Sequence, residues 1–395
     1  MDTDFQIVAN RETCSGCGAC ANICPKQAIL LLPNSCGFYE PQIDHQKCIG
    51  CSLCKKVCPI GHKKELEDTS FVPDVYAAYT KDSSEKKQSS SGGVFSVLAR
   101  CILDRNGVVY GAAFDEDLKV AHVGIHSKSN LPRLRGSKYV QSFISDSIFV
   151  EIKNELQNGT QVLFSGTPCQ IAGLKFFLGK KYDNLFTVDL ICHGVPSPKV
   201  FEEYLRDLEV EYGKISSYKF RDKHKSWKCP NIEFCAGGKF YQIPYGLDYF
   251  IGLFGKSTVR PSCYHCEYAS PKRVSDMTLG DFWGFEQTGN IIDDDTGISC
   301  VICNTAHGKK FFDILKDEFV YEKSSFEEVA KGNPRLSAPR KYCSNNFWEE
   351  FQTSGFHKTK KKFLKITFIN RVVVFLHIYF PVLYKLLYKI RKRLK

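Results

Sequence analysis

The apolar positions along most of this chain follow two periods. Short alternating or continuous apolar runs occur at VYAAY (75–79), GVVYGAAFD (107–115), VAHVGIH (120–126), QVLFSG (161–166), NLFTVDLIC (184–192), SDMTLGD (275–281) and GISCVIC (297–303), and each predicts a strand. Between them lie helical patterns. VFSVLARCIL follows Gly92-Gly93, and QIAGLKFFL follows Thr167-Pro168, where Thr167 and Gln170 have the spacing of a capping box. A further helix starts near Ser197-Pro198, and a small one (FEEV) sits behind a Ser325 cap. The polar stretches predict connections: a linker over 61–73, a low-complexity loop in KDSSEKKQSSS, and a basic loop in LPRLRGSKYVQS. Helical and strand segments in these proportions give an α+β chain.

The first sixty residues break this pattern and are organised by cysteine. CSGCGACANICP and CIGCSLCKKVCP are each C-x2-C-x2-C-x3-C-P, the second starting 34 residues after the first. This is the run that holds paired 4Fe–4S clusters in two-cluster ferredoxins. Three cysteines at i, i+3 and i+6 wrap one cluster face, and the fourth, before Pro, reaches the neighbouring cluster. The expected sets are Cys14, Cys17, Cys20 and Cys58 for one cluster, and Cys48, Cys51, Cys54 and Cys24 for the other. Two interlocked runs exceed what a zinc knuckle needs. Gly16-Cys17-Gly18-Ala19-Cys20-Ala21 also fits a G-x-G-x-x-A dinucleotide pattern, but no strand precedes it and its cysteines are committed. Nineteen cysteines without a signal-peptide pattern argue for metal binding in a reducing cytoplasm rather than for disulfides.

Net charge changes the picture only when mapped. Of the +11 total, twelve Lys or Arg lie in residues 356–395, which contain no acid, so the rest of the chain is close to neutral. Such a tail lacks a groove-reading module and excludes a nucleic-acid role. Its uncharged stretch VVVFLHIYFPVLY is thirteen residues, short of a bilayer span. Basic clusters flank it, Tyr379, Tyr384 and Tyr388 are interspersed, and Pro381 introduces a kink. That composition predicts a helix on the anionic cytoplasmic face of a membrane.

Within the body, Gly92-Gly93 before a helix forms a ready anion site, and Arg133, Arg135 and Lys138 beside Gly136 and Ser137 are suited to phosphate. Cys169 falls in the first turn after a strand, where the helix macrodipole lowers a thiol pKa. Cys192 ends the next strand, and Cys263 and Cys266 form a C-x2-C between turns. These four suffice for a third 4Fe–4S cluster, and zinc could use the same four. Cys300 and Cys303 lie in an alternating strand and read as core, and Cys36, Cys101, Cys229, Cys235 and Cys343 as bystanders. His122 and His126 alternate along a strand as structural residues. GDFWG (280–284) puts an acid and an indole at a turn.

Taken in order, SGGVFSVLAR, RGSKYV, FSGTPCQIAGL, DLICHGVPSPKVFEEYL, FRDK and TLGDFWG resemble the family of coenzyme F(420) hydrogenase/dehydrogenase beta subunits over about residues 10–340. The resemblance implies a two-cluster ferredoxin domain (1–60), then a non-Rossmann α/β flavoprotein body (74–350, in parts of about 74–160 and 161–350). The basic C-terminal tail (356–395) follows. It further implies that Cys169, Cys192, Cys263 and Cys266 hold a 4Fe–4S cluster. Ser91, Gly92, Gly93, Gly136, Ser137, Lys138 and Tyr139 would line an FAD site, with Asp281 and Trp283 close to the flavin. The expected function is an oxidoreductase passing electrons among the clusters, FAD and a small molecule, with an external ferredoxin or reductase as electron partner. The tail suits a setting in polysaccharide biosynthesis, on a glycan precursor. The alternative is a non-catalytic electron-transfer subunit that feeds a partner enzyme. No catalytic acid or base is assigned, His193 being marked only by its place beside Cys192.

Overall fold

The computed structural model describes residues 9–10, 12–67, 70–254, 257–285, 289, 291–342 and 346–380. Its strands are β1 (Ile29–Pro33), β2 (Tyr39–Ile43), β3 (Asp74–Thr80), β4 (Val108–Phe114), β5 (Val120–Ile125), β6 (Val162–Gly166), β7 (Leu185–Leu190), β8 (Ile215–Asp222), β9 (Asn231–Ala236), β10 (Lys239–Pro244), β11 (Met277–Asp281), β12 (Ser299–Cys303) and β13 (Phe319–Ser324). Eight form one mixed sheet in the order β13-β3-β12-β11-β7-β6-β4-β5. At its centre β11, β7, β6 and β4 are parallel neighbours, while the outer pairings are antiparallel.

Helices on both faces explain why β6 and β7 read as continuous apolar runs. One face packs Leu163, Val188 and Met277 against Val97 and Leu98 of the helix Val94–Asp104 and Phe312 of the helix Ala306–Ile314. The other packs Phe164 against Phe149 of the helix Ile148–Gln157 and Ile171 of the helix Pro168–Leu178. On β12, Val301 and Cys303 join the first core and Cys300 and Ile302 a different one, as alternation requires. The helix Phe326–Gly332 starts at Ser325, whose side chain accepts from the Glu328 N–H.

Several segments depart from the sequence pattern. The run expected as a loop after Lys81 contains a helix, Ser83–Gln88, because the Asp82 carboxylate accepts from the N–H groups of Ser84 and Glu85. Its charges are absorbed locally: Glu85 pairs with Arg100 and Arg135, and Lys86 with Asp294. The basic loop begins with a short helix, Leu131–Leu134. Residues 63–66 of the expected linker form a 3-10 turn in which buried Lys63 pairs with Glu67 at 3.0 Å. A separate antiparallel sheet, β10-β9-β8, had no strong signal in the sequence. It packs on an aromatic core of Phe201, Tyr204, Phe220, Phe250, Phe347 and Phe356.

That core also holds the helix Phe347–Phe363, so residues 356–364 pack into the body, and the exposed tail starts beyond them. The helix Phe368–Tyr379 follows, and Pro381 with the remaining tail lies outside the described residues. No described helix is long and apolar enough to cross a membrane.

Candidate functional site

The ferredoxin loops fold around left-handed backbone at Gly16, Gly18, Gly50 and Ser52, where the cysteine runs turn back on themselves. Cys14, Cys17 and Cys58 are buried together with Cys20 nearby. Burial pushes the Cys17 and Cys20 thiols up, and the neighbouring sulfurs of that set push them further. Cys54 lies close to Cys48 and Cys51, and Cys24 shares an apolar cluster with it. Cys48 and Cys51 are exposed. The two expected sets are thus gathered as two groups, one deep and one superficial.

The four body cysteines arrive from three places. Cys169 follows β6, Cys192 follows β7, and Cys263 and Cys266 come from a 3-10 turn at Pro261–His265. The first two therefore stand at the carboxyl ends of neighbouring parallel strands, where open α/β sheets put their sites. All four line a cavity of about 790 Å³. Gly194 allows this convergence. It has φ 95°, and a Cβ there would lie 2.6 Å from Val259 Cγ1 and 3.3 Å from Cys263 Cβ. Burial pushes Cys263 up to about 12 and Cys266 up to about 11, the other thiols of the set adding to it. The expected lowering at Cys169 does not occur. Its thiol is raised by burial, which outweighs hydrogen bonding with Thr167 Oγ1 at 3.1 Å and with Ser15.

The ferredoxin module is seated directly on this site. The helix Pro168–Leu178 carries Cys169 at its start and Gly173 one turn later. A Cβ at Gly173 would lie 2.9 Å from the Cys17 sulfur. Arg260, fully buried, donates from Nε to the Cys14 carbonyl at 2.6 Å and from Nη1 to the Tyr39 carbonyl at 3.0 Å. Beyond the C-x2-C, the Tyr268 hydroxyl donates to the Pro59 carbonyl at 3.0 Å, and the Gly61 N–H donates to Glu267 at 3.1 Å. No cysteine spacing marks Arg260, Glu267 or Tyr268, whose importance comes only from where the two modules meet.

Of the nine residues expected around a flavin, Ser91, Gly93, Gly136, Ser137, Lys138, Tyr139, Asp281 and Trp283 line the same cavity. Gly92 does not. Its N–H donates to Ser299 Oγ at 3.0 Å, and a Cβ would strike the Ala78 carbonyl at 2.5 Å. The loop is held from behind by Lys223, which donates to the Ser91 carbonyl at 2.6 Å. Arg133 is exposed, and Arg135 is engaged with Ser96, Gln88 and Glu85. Lys138 donates to the Arg133 and Arg135 carbonyls at 2.8 Å each, and burial pulls its pKa down to about 7.

The opposite wall is aromatic and charged. Trp283 stacks on Trp227 with ring centroids 4.5 Å apart and planes 10° from parallel. Asp281 accepts from Trp227 Nε1 at 3.1 Å and pairs with Arg221 at 2.5 Å. FRDK marked Arg221, whereas nothing in the sequence marked Trp227. His193 and His122 also line the cavity, each held down to about 4 by burial. His122 bridges Ser142 Oγ at 2.8 Å and the Ser165 carbonyl at 3.0 Å, while His126 is exposed. Cys36, Cys101, Cys229 and Cys235 stand outside the cavity lining, and Cys343 lies outside the described residues.

Comparison with known proteins agrees with this arrangement. Residues 13–62 match the 4Fe-4S dicluster domain family, and residues 159–329 match the family described as the C terminus of the coenzyme F420 hydrogenase/dehydrogenase beta chain. A subunit of the F(420)H(2) dehydrogenase of Methanosarcina mazei is 24% identical over 334 residues, covering 80% of this chain and 86% of that protein. A chain in the F420-reducing [NiFe] hydrogenase complex of Methanosarcina barkeri superposes with a TM-score of 0.44 at 17% identity, covering 75% of this chain and 93% of that one. The chain carries a 4Fe–4S dicluster domain followed by a C-terminal domain of the F420 hydrogenase/dehydrogenase beta type, and its role is redox.

Proposed function

We propose that this chain is an iron–sulfur electron-transfer subunit that works with partner subunits, holds a third 4Fe–4S cluster on Cys169, Cys192, Cys263 and Cys266, and binds FAD in the adjoining cavity. The observation carrying the proposal is continuity. Exposed Cys48 and Cys51 lead to the buried set around Cys17, and Cys17 touches the helix that starts at Cys169. That Methanosarcina mazei relative is itself named as one subunit of a dehydrogenase, which supports a role beside partners.

The cavity fits a flavin dinucleotide on three counts. The helix Val94–Asp104 begins there at Gly93 without a side-chain cap, leaving N–H groups for an anion. Arg335 Nη1, buried in the cavity wall, has no hydrogen-bond partner among the described residues. Space is open beside Gly136, where a Cβ would meet nothing within 4 Å. Gly93, Ser137 and Lys138 would hold the phosphate side, and Trp283, backed by Trp227, would face the ring side. Cubane clusters pass single electrons and a flavin accepts one or two, so their combination links one-electron carriers to two-electron chemistry. The protein's part is to exclude water from the third cysteine set, fix Trp283 through the Asp281–Arg221 pair, and keep the Ser91 loop in place through Lys223.

A second reading, an oxidoreductase acting alone on a small molecule, is favoured by the breadth of the cavity. Nothing in the lining selects a glycan precursor, and that setting forms no part of the proposal. The helix Phe368–Tyr379 supports peripheral attachment to an anionic membrane, since it exposes Phe368 (79%), Ile369 (70%) and Phe375 (52%).

Anaerobic purification with iron, sulfide and flavin quantified together tests the cofactor assignment. About twelve irons and one FAD per chain are expected. About eight irons without flavin would overturn the third cluster and the flavin. Turnover of an artificial acceptor by the isolated chain would favour the second reading, and activity only with co-purified partners the first.

A further inference from the structure

The two ferredoxin cysteine sets differ in more than depth. Around the deep set the protein is closed, with Cys14, Cys17 and Cys58 buried and Arg260 and Tyr268 clamping the loops from the body. The superficial set has Cys48 and Cys51 exposed, and between them Ile49 is 59% exposed. An isoleucine at the tip of a cluster loop, pointing to solvent, costs solubility unless something covers it.

The charges near this loop share one sign. Lys26, Lys47, Lys55 and Lys56 are all exposed, and each lies within two residues of Cys24, Cys48 or Cys54 of this set. Asp44 is the acid beside them, and it is engaged by Lys47 at 3.4 Å. Since the chain outside the tail is close to neutral, this is a local basic rim around one apolar side chain and two exposed ligands. A small apolar centre inside a charged rim is the anatomy of a transient redox interface, in which complementary charge sets the encounter rate.

On the electron-transfer reading above, we infer that the face formed by Ile49, Lys26, Lys47, Lys55 and Lys56 is the docking port for an acidic one-electron protein carrier of the ferredoxin type. In the step served, one electron leaves the carrier's reduced iron–sulfur centre and enters the cluster of Cys24, Cys48, Cys51 and Cys54. The carrier is oxidised by one, that cluster is reduced by one, and no bond or proton moves.

The test compares the full holoprotein with its Lys55→Glu/Lys56→Glu variant, using a reduced acidic 2Fe–2S ferredoxin and the methyl viologen radical cation as reductants. Both proteins are matched for iron content first. That separates failed cluster assembly, which would count against the function proposed above, from failure of the port. For the parent protein the ferredoxin rate should fall as salt rises from low to physiological ionic strength. The variant should lose at least about tenfold in ferredoxin rate at low salt and weaken calorimetric binding of oxidised ferredoxin, while viologen reduces it as fast or faster. Ile49→Asp should weaken ferredoxin binding in the same way. Parent and variant with equal ferredoxin affinities and rates, or a parent rate indifferent to salt, would overturn the port.

Discussion

Gly173 gives the sharpest test of how the ferredoxin module meets the body. It sits inside the helix Pro168–Leu178, where replacing glycine by alanine ordinarily stabilises by about 1 kcal/mol. Here the new methyl would lie 2.9 Å from Cys17 Sγ, 3.0 Å from Cys17 Cβ and 3.5 Å from Ala19 Cβ. Overpacking of this kind costs about 1–3 kcal/mol when neighbours can shift. A sulfur held by a cluster cannot shift freely, so the cost falls at the upper end and exceeds the helical gain. The strain is borne by one cluster ligand rather than by the whole core. Gly173→Ala is therefore expected to lower the melting temperature by a few degrees and to lose the Cys17 cluster first, as a drop from about twelve toward about eight irons per chain. Iron analysis, low-temperature EPR of the reduced protein and a melting curve together read this out. A variant with full iron, an unchanged EPR spectrum and a raised melting temperature would refute the close packing of Cys17 on this helix.

Cys266→Ser should remove one cluster's iron while leaving the dicluster EPR signals intact, and simultaneous loss of all three would contradict separate sites. Arg260→Leu leaves the Cys14 and Tyr39 carbonyls and Glu40 without their buried cation. It should cost about 3–5 kcal/mol in denaturant unfolding, and a cost under 1 kcal/mol would show that the clamp is dispensable. Burial alone would raise the Asp276 carboxyl, but hydrogen bonds from His307 and Thr187 and the nearby Lys175 outweigh it and hold it well below the usual range. Its contribution is full above about pH 5 and lost as pH falls through the carboxylate range. His307, raised mainly by its bond to Asp276, contributes below about pH 6.5 and loses that contribution as pH rises through its elevated value. Asp276→Asn should destabilise by about 1–3 kcal/mol at neutral pH and flatten the acid limb of the stability profile, and an unchanged acid limb would rule the group out. Deleting residues 367–395 should release the protein from anionic vesicles with its clusters retained. A cut at 357 would instead remove Leu364 and Phe363 from the aromatic core, so the longer truncation reports on folding.

The dicluster module was legible because its ligands are consecutive in sequence and their spacing is dictated by one cluster's geometry. Each central parallel strand was legible for a comparable reason, since burial on both faces leaves an unbroken apolar run. The set Cys169, Cys192, Cys263 and Cys266 needed the sheet, because its members meet only where β6 and β7 end side by side. Arg260 and Trp227 gave no warning, one being an arginine before a proline and the other a tryptophan in a polar loop. The helix Ser83–Gln88 was missed because its stability comes from partners as distant as Asp294, which no local window contains. Cys169 was misjudged for a related reason, since the helix start was visible in the sequence but the depth of its burial was not.

The third cysteine set has a mechanical consequence as well. Its members come from three separate turns, so a cluster bound by all four would act as a cross-link joining the ends of β6 and β7 to the segment at Pro261–His265. The loop closed between Cys192 and Cys263 is long, and fixing its ends would remove about 4 kcal/mol of chain entropy from the unfolded state. Assembly of the cluster would then complete the folding of the very segment on which the ferredoxin module rests. Destroying the cluster with oxygen or a chelator would do more than interrupt conduction: it would loosen the seat of the other two.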